Sequence, residues 1–455
     1  MLETVPVVAQ VVLVVLVAAG ALLWRQARTW NEKNMPYVSS QSTVSFIQTM
    51  FGPQGPFFLL DLVRSKGRSI FAITRQFYVV ADATIGLEIL NNPQSLKWEG
   101  YSFFDQVMGG PNFFSKEGQR AKHVRKSTTL AFADTDRMKA VIDEVLEEWI
   151  QSFLEPRCIE KGNPLDIQEE MMHLTLNIMG RLAFDYQFEY EERCLVIESF
   201  ALAYSEVSST NVFRFLKATR WIFPNVRRAL AATRRLNDFC RKILQSPVGT
   251  GGSSILQAMR DDSGYANDDE RVYDMCVFLA AGFDTTAYTL VWTLLELAKH
   301  PKEQRILRDD LRGGSEEELG RVRTESMRLH AVSGLGVFRA ISKDMTIPGD
   351  HVMPKGSVCL VSPFLIHRDG SVFPSPDDFV PSRWIDPTDD QRKAFLPYVC
   401  GRRNCIGQSL ANLEVLRVIG RLGRDYEFHV IAEGEAFYNV TFKTKGTILG
   451  VRKTS

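Results

Sequence analysis

The sequence lacks an excess of charge of one sign, an internal repeat and an even set of cysteines. Its 455 residues carry 54 basic and 54 acidic side chains, which argues against a nucleic-acid binder that relies on bulk charge. The seven cysteines are scattered along the chain, unlike a secreted disulfide framework. We therefore expect reduced thiols in a cytosol-facing domain. The 45% hydrophobic content supports a core larger than one compact unit.

The N-terminus carries an uncharged apolar run, residues 5–24, long enough to span a bilayer as a helix. Arg25 and Arg28 follow this run and Glu3 precedes it, so the positive-inside rule places the rest of the chain in the cytosol. A cleaved signal peptide is the alternative, although no basic segment precedes the run. An organellar sorting role also stays open. The prediction is an anchor, a linker and one catalytic domain: 5–24, 25–35 and 36–455.

The periodicity of the remaining chain is mostly helical. Residues 68–80 are rich in β-branched and aromatic side chains, which predicts a pair of strands. Residues 135–300 have helical spacing, interrupted by prolines and a Gly/Ser loop. Short strands and turns are predicted over residues 336–390. The expected fold class is mainly α, with a smaller β region near the N-terminus.

The most informative stretch is the loop Tyr398-Val-Cys-Gly-Arg-Arg-Asn-Cys-Ile-Gly407. Gly401 allows a tight turn, and Gly407 leaves room for a flat, bulky group to approach. The helical character of residues 408–417 places Cys405 near a helix N-terminus, which favours a thiolate. Cys405 is thus a candidate metal ligand. The alternative is a buried cysteine that acts as a small apolar side chain.

The order Gly401, Arg403, Cys405 and Gly407 resembles the cysteine loop of the cytochrome P-450 haem-thiolate enzymes. The family usually has Phe where this chain has Tyr398, so an aromatic ring is kept and its hydroxyl needs a partner. The resemblance implies the cytochrome P-450 fold. It also implies haem b with Cys405 as the axial thiolate, a ligand that favours cleavage of the O–O bond.

Residues 274–299 read as one long apolar helix that contains Ala-Gly-Phe-Asp-Thr at its centre. Small residues at 281 and 282 would let a flat cofactor approach, and Thr285 can bond back to the carbonyl at 281. Asp284 beside Thr285 could relay protons to bound oxygen. A cap in a broken helix and a helix–helix contact are the alternatives. The resemblance identifies Asp284 and Thr285 as the acid–alcohol pair of oxygen activation.

Glu325 and Arg328 are three residues apart, so they share one face of a helix. Alone, such a pair is typical of any solvated helix surface. The resemblance implies that Arg383, further along the chain, joins them in a buried network that braces the cysteine loop.

Haem carries two propionates, which arginine binds well. By resemblance, Arg125, Arg339 and Arg403 are the propionate ligands, and His367 is a fourth candidate. Solvated surface groups are the alternative for Arg125, Arg339 and His367.

The chain departs from the family pattern in several places. Ala121 stands where Trp is usual, Ala331 stands where Pro is common, and the segment 286–324 is short for a membrane-bound relative. These departures leave open a marginally stable enzyme or an incorrect gene model.

The resemblance implies a membrane-anchored monooxygenase that inserts one oxygen atom from O2 into a lipophilic substrate. Its localisation would be the endoplasmic reticulum, as a single-pass protein. Electrons would come from NADPH through a flavoprotein reductase, with cytochrome b5 or ferredoxin as further possible donors. Six basic residues could form a docking face for an acidic, flavodoxin-like partner, and ordinary surface charge is the alternative: Arg120, Lys122, Lys126, Arg392, Lys393 and Arg402.

The resemblance places aromatic and aliphatic residues along the substrate pocket, which suits fatty acids, sterols or other isoprenoids. These residues are Phe103, Phe104, Phe114, Phe278, Phe283, 332–338 and Phe437. Two other functions stay open: a haem-thiolate isomerase or dehydratase of an oxygenated lipid, and a membrane-anchored binding protein without catalysis. The spacing of Cys400 and Cys405, without further clustered ligands, does not favour a zinc site.

Overall fold

A computed structural model describes Phe46 and residues 49–67, 69–74, 76–208, 224–247, 254–348 and 351–454. The predicted membrane anchor (5–24) and linker (25–35) lie outside these residues, as does most of the Gly/Ser loop. Within the described residues, the fold is mainly helical with smaller sheets, as the sequence predicts.

The helices form the larger layer of the molecule. Short 3-10 and π-helical turns connect some of them. The helices are α1 (Gly55–Lys66), α2 (Ala83–Asn91), α3 (Phe104–Met108), α4 (Gln119–Thr129), α5 (Thr135–Trp149), α6 (Ile167–Phe184), α7 (Tyr190–Ser208), α8 (Pro224–Gln245), α9 (Ile255–Asp261), α10 (Asp268–Lys299), α11 (Pro301–Arg312), α12 (Glu317–Leu329), α13 (Pro363–Ile366), α14 (Asp389–Ala394) and α15 (Gln408–Asp425).

The strands are short and come from both halves of the chain. They are β1 (Ile70–Thr74), β2 (Phe77–Val80), β3 (Ser95–Lys97), β4 (Leu165–Asp166), β5 (Val337–Ile341), β6 (Met345–Ile347), β7 (His351–Met353), β8 (Val358–Val361), β9 (Tyr426–Ala432), β10 (Glu435–Asn439), β11 (Thr441–Lys445) and β12 (Ile448–Lys453).

The largest sheet has the order β1-β2-β8-β5-β3. The predicted strand pair at residues 68–80 is confirmed as the antiparallel pair β1–β2. The expectation of a β region near the N-terminus was incomplete, because β5 and β8 complete this sheet from the second half of the chain. The C-terminal strands form the hairpin β10–β11 and the sheet β4-β12-β9. Tertiary pairing of this kind leaves no local trace in the sequence.

Helix α10 runs through the core. It begins six residues earlier than predicted, because Asn267 caps it by accepting a hydrogen bond from the Glu270 N–H. Three acidic residues in its first turn favour the same start. The helix is continuous to Lys299, so the interpretation of a broken helix was wrong. It packs against α6, α8 and α15.

In the described part of the chain, α10 is also the one helix long and apolar enough to cross a membrane. Most of its apolar stretch is buried inside the protein. Burial of this kind is typical of a core helix, so α10 serves as the central support of the helical layer.

Candidate active site

The cysteine loop is a strained connection that ends at Gly407, the residue before α15. Gly401 has φ 75°, and a Cβ at this position would lie 2.4 Å from the Leu90 carbonyl oxygen. Val399 has φ 57°, a conformation that β-branched residues rarely adopt. The Cys405 N–H donates to the Tyr398 carbonyl, at 3.1 Å, and closes the loop. The backbone thereby presents Cys405 as an exposed side chain.

Protein groups alone do not favour the Cys405 thiolate, contrary to the expectation from its place near a helix N-terminus. Although part of the residue is accessible, burial raises the pKa of its thiol above the usual value. The Gly407 N–H and Arg125 only partly offset this effect. Helix α15 begins at Gln408, so its dipole acts from a distance. A metal cation would reverse this balance, because a coordinating thiol is deprotonated.

Open space lies next to the loop on the side of Gly407. A Cβ at Gly407 would meet no atom within 4 Å, whereas one at Gly401 would clash. The two glycines therefore have different effects. Gly401 permits the turn, and Gly407 leaves a surface that a flat group can approach.

Three predicted propionate ligands lie in one cluster of cations around the cysteine loop. Arg125 donates to the Asn404 carbonyl at 3.0 Å, and Arg403 forms an ion pair with Glu117. Arg339 is 4% exposed and donates to the Phe338 carbonyl. Burial and then repulsion from Arg403 lower the pKa of Arg125. In Arg339, burial likewise lowers the pKa.

Lys97 is a fourth member of this cluster, which the sequence analysis missed. It lies directly opposite Arg339 in the β3–β5 register. Burial, followed by repulsion from Arg403 and Arg339, lowers the pKa of Lys97 to about 7. Its ammonium lies 3.9 Å from the centre of the Phe114 ring. Lys97 and Arg339 are neighbours because β3 pairs with β5, and a local sequence motif does not predict that pairing.

The cluster holds more positive than negative charge. Among its described members, Glu117 is the carboxylate that faces three of the cations, Arg403, Lys97 and Arg339. Burial acts to raise the pKa of Glu117, but hydrogen bonds from Arg403 and the Lys97 backbone lower it overall. Buried cations without matching anions are costly, so this arrangement fits a dianionic ligand. The two propionates of haem have this charge.

One face of α10 is open in the middle of an otherwise buried helix. Ala281 is exposed and Thr285 is half-buried one turn later, whereas Ala280 and Phe283 are buried. The Thr285 hydroxyl donates to the Ala281 carbonyl at 2.7 Å, which confirms the predicted back-bond. Gly282 points elsewhere: a Cβ there would lie 2.5 Å from the Met179 sulfur. The expectation that Gly282 admits a cofactor was wrong, because Gly282 permits the contact with α6.

Asp284 points away from this open face and is paired. Its carboxylate accepts hydrogen bonds from Lys443 Nζ and Thr441 Oγ1, both at 2.6 Å. Both partners lie on β11, more than 150 residues along the chain. Nothing in the local sequence around Asp284 indicates this pair. Asp284 and Thr285 are therefore neighbours in the chain whose side chains have separate surroundings.

The predicted structural network is assembled around Glu325. This carboxylate accepts from Arg328 twice and from Arg383, all at 2.9 Å. Trp384 Nε1 and the Val380 N–H also donate to it. Burial alone would raise the pKa of Glu325. The hydrogen bonds and charge of Arg328 outweigh this effect, so the pKa is lowered overall. Glu325 and Arg328 are fully buried, so the alternative of a solvated surface pair is wrong.

His367 belongs to this network and not to the cationic cluster. Its Nε2 accepts from the Leu396 N–H at 2.8 Å, and its Nδ1 lies 3.2 Å from the Arg328 carbonyl. Burial, then repulsion from Arg328, lowers the pKa of His367 to about 3. The expectation of a propionate ligand was wrong for His367. The neutral ring instead ties α12 to the start of the cysteine loop.

The aromatic at the start of the loop has the partner that its hydroxyl requires. Tyr398 Oη donates to Asn412 Oδ1 at 3.0 Å, and the same oxygen accepts from Arg323 at 2.7 Å. The other departures from the family pattern are accommodated in the core, since Ala121 and Ala331 are both buried. An alanine side chain needs no hydrogen-bond partner, so both residues can be buried at these positions.

Most of the expected docking face is exposed, with one exception. Arg120 forms ion pairs with Glu270 and with the buried Asp274, so it acts inside the fold. The other five basic residues are exposed: Lys122, Lys126, Arg392, Lys393 and Arg402.

Aromatic rings gather beside the cationic cluster. The rings of Phe104 and Phe114 meet edge to face, with centroids 5.4 Å apart. The centres of the Phe338 and Tyr101 rings are 6.2 Å apart. Of the predicted pocket residues, Phe278 and Phe283 are buried, and Phe437 is half-buried.

The described chain contains no cluster of three or more His, Cys, Asp or Glu that could hold a metal ion.

The donor set thus fits a haem held by one thiolate and several cations. The chain matches the family profile "Cytochrome P-450" over residues 68–443, which is most of its length. This protein belongs to the cytochrome P-450 family.

Individual relatives are more distant. The chain is 29% identical to human cytochrome P-450 4F8, over 58% of each chain. It is 28% identical to mouse leukotriene-B4 omega-hydroxylase 3, over 57% of each chain. It is 27% identical to cyclooctatin synthase of Streptomyces melanosporofaciens, over 57% of this chain and 61% of that protein. The match therefore spans somewhat less than two thirds of these relatives' lengths.

Proposed function

We propose that this protein is a haem-thiolate monooxygenase that inserts one atom of O2 into a lipophilic substrate. The observation that carries the proposal is the position of Cys405 beside four cations and one carboxylate. That arrangement suits a prosthetic group with a thiolate-binding metal and two negative charges. A haem bound through Cys405 supplies the oxygen chemistry, because thiolate ligation favours O–O cleavage.

The chain's own residues divide the remaining tasks. The propionates would be bound and oriented by Arg125, Arg339, Arg403 and Lys97. Ala281 would leave room for the group beside α10. The Thr285 hydroxyl, held by the Ala281 carbonyl, is placed to pass a proton at its Oγ1. Asp284 is the proposed acid that resupplies this proton, for which its carboxylate would turn from Lys443 and Thr441 towards Thr285.

The proposed substrate class is a fatty acid, a sterol or another isoprenoid. The aromatic wall around Phe104, Phe114 and Phe338 offers apolar contact and excludes water. A relative named as a leukotriene-B4 omega-hydroxylase makes the fatty-acid class the first to test.

We also propose that NADPH supplies the electrons through a flavoprotein reductase. Five exposed basic residues, among them Lys122 and Lys126 on α4, provide positive charge for an acidic partner. The apolar run 5–24 would anchor the protein in the membrane of the endoplasmic reticulum as a single pass, with the catalytic domain in the cytosol.

Isotopically labelled oxygen gas tests the proposed reaction. The purified protein is incubated with NADPH, a microsomal reductase and separate fatty-acid, sterol and isoprenoid substrates, and the products are analysed by mass spectrometry. We expect a product that carries one labelled oxygen atom. Conversion of a lipid hydroperoxide without O2 or NADPH would identify an isomerase or dehydratase instead. Colourless protein without turnover would favour a binding protein.

A further inference from the structure

The charge of Asp284 is compensated from outside its own helix. Asp284 is 3% exposed, and each of its carboxylate oxygens has a partner on β11. Lys443 Nζ contacts Oδ1, and Thr441 Oγ1 contacts Oδ2. Because a buried carboxylate is costly without a counter-charge, Lys443 determines where this carboxylate can rest.

The geometry of the hairpin β10–β11 fixes both partners. Thr441 and Lys443 are two residues apart in a strand, so they share one face. Phe442, between them, points to the other face, where its ring lies 5.1 Å from that of Trp292. This packed aromatic opposes a slip of the strand by one residue, which would turn Lys443 away from Asp284.

The same hairpin carries Phe437, a substrate-pocket residue predicted from the sequence. Phe437 is directly opposite Lys443 in the β10–β11 register. Residues directly opposite one another in an antiparallel pair present their side chains on the same face. A contact that moves Phe437 therefore acts on the strand that holds Asp284.

Other polar groups extend from the pair towards the surface. Lys443 Nζ lies 4.8 Å from the centre of the Tyr288 ring and 5.6 Å from that of Tyr204. Gln168 Nε2 donates to Tyr288 Oη at 3.2 Å, and Gln168 Oε1 accepts from the N–H of the exposed Gly446. Charged and hydrogen-bonding groups thus connect the buried acid to the end of β11.

We propose that Lys443 is a positioning residue for proton delivery, and that the C-terminal hairpin sets the position of Asp284. This inference rests on the proposed role of Asp284 and Thr285 in the monooxygenase. Lys443 holds the carboxylate, Thr441 orients its second oxygen, and Phe437 lies opposite Lys443 on the paired strand.

A double-mutant cycle first tests whether the pair is formed in solution. Lys443→Met, Asp284→Asn and the double variant are compared in thermal unfolding, with Lys445→Met as the control on an exposed position of the same strand. We expect Lys443→Met to lower Tm, and the double variant to recover part of the loss, because it has no unpaired buried charge. Strictly additive shifts would overturn the pair.

The second measurement is the hydrogen peroxide released per NADPH consumed, in the presence of the substrate found with labelled oxygen. This ratio cannot exceed one, and we expect Lys443→Met to raise it at least about twofold towards that limit, because positioned proton delivery is impaired. Lys443→Arg, which keeps the charge, should restore most of the wild-type ratio. Lys445→Met should match the wild type.

The two proposals fail in different ways. If Asp284→Asn raises peroxide release and a folded, haem-loaded Lys443→Met does not, the inference on Lys443 is wrong and the relay stands. If neither Asp284→Asn nor Thr285→Ala changes the ratio, the proposed relay itself is wrong. If Lys443→Met does not fold, the double variant is compared with Asp284→Asn instead. A higher peroxide release in the double variant would show that Lys443 acts independently of Asp284, and the inference would be wrong.

Discussion

Two buried carboxylates, Glu325 and Asp284, show how differently one fold can compensate a negative charge. Glu325 accepts five hydrogen bonds from α12 and the segment 380–384. Asp284 accepts two, both from one hairpin. Glu325 would have to break five hydrogen bonds to move, whereas Asp284 would have to break two.

This difference corresponds to two roles, a structural role for the Glu325 network and a role in the reaction for Asp284. Arg328 extends the Glu325 network to the carbonyls of His367, Pro376 and Asp378, so one charge pair fixes a long irregular segment. Asp284 instead precedes Thr285, the residue on the open helix face, while its own side chain is buried against β11. We infer that the first network holds the cysteine loop in place and that the second serves the reaction.

Removing the Glu325 charge should give the largest effect. Glu325→Gln leaves Arg328 and Arg383 buried without a counter-ion, which we expect to cost about 3–5 kcal/mol. Urea unfolding and haem content of the purified variant measure this loss. Glu317→Gln, an exposed site on the same helix, is the control and should match the wild type. Equal stability of the two variants would contradict the bracing role.

Asp274, a third buried carboxylate, extends the comparison to pH. Burial raises the pKa of Asp274 to about 6 from 3.8, despite Arg120 and the Phe113 N–H. A raised carboxyl pKa means that ionisation destabilises the fold, so stability falls as pH rises from about 4 to about 6. Over this pH range, the free energy of unfolding of the wild type should fall by about 3 kcal/mol more than that of Asp274→Asn, which has no carboxyl group to ionise.

Urea unfolding of wild type and Asp274→Asn between pH 4 and 7 measures that difference. The pH range covers the ordinary pKa of the carboxyl and its raised value in the fold. Asp269→Asn, at an exposed position of the same helix, serves as the control. Parallel pH profiles for wild type and Asp274→Asn would mean that this carboxylate does not titrate in the fold.

Thr285→Ala tests the chemical side of the comparison. It should keep haem and stability but lower the product formed per electron by about tenfold, since a positioned proton donor is lost. Thr289→Ala removes the same type of back-bond one turn later and is the matched control. An unchanged yield per electron in Thr285→Ala would show that the proton-relay assignment is wrong.

The smallest effect is expected at Tyr398. Tyr398→Phe restores the family's usual ring and removes one hydrogen bond to Asn412, which still accepts from Arg323. The cost should be about 1 kcal/mol in urea unfolding, with the haem spectrum unchanged. A shifted haem spectrum would show that the Tyr398 hydroxyl acts on the cysteine loop.

Local patterns predicted the cysteine loop, the long helix and the Glu325–Arg328 pair, because each lies within a few turns of chain. The positions of Lys97 and Lys443 depend on strand register, and sequence spacing alone does not give it. The faces of Ala281 and Gly282 were assigned together, although adjacent helical residues point about 100° apart. His367 was misassigned because its partners, Arg328 and Leu396, come from distant segments.

The most direct test of the central claim is the difference spectrum of the reduced, carbon-monoxide-bound protein, recorded for the wild type and for Cys405→Ser. We predict a strongly red-shifted Soret band in the wild type that is lost in Cys405→Ser, because the thiolate of Cys405 is the axial ligand. A wild-type protein without a haem band, or a band unchanged in Cys405→Ser, would contradict the account.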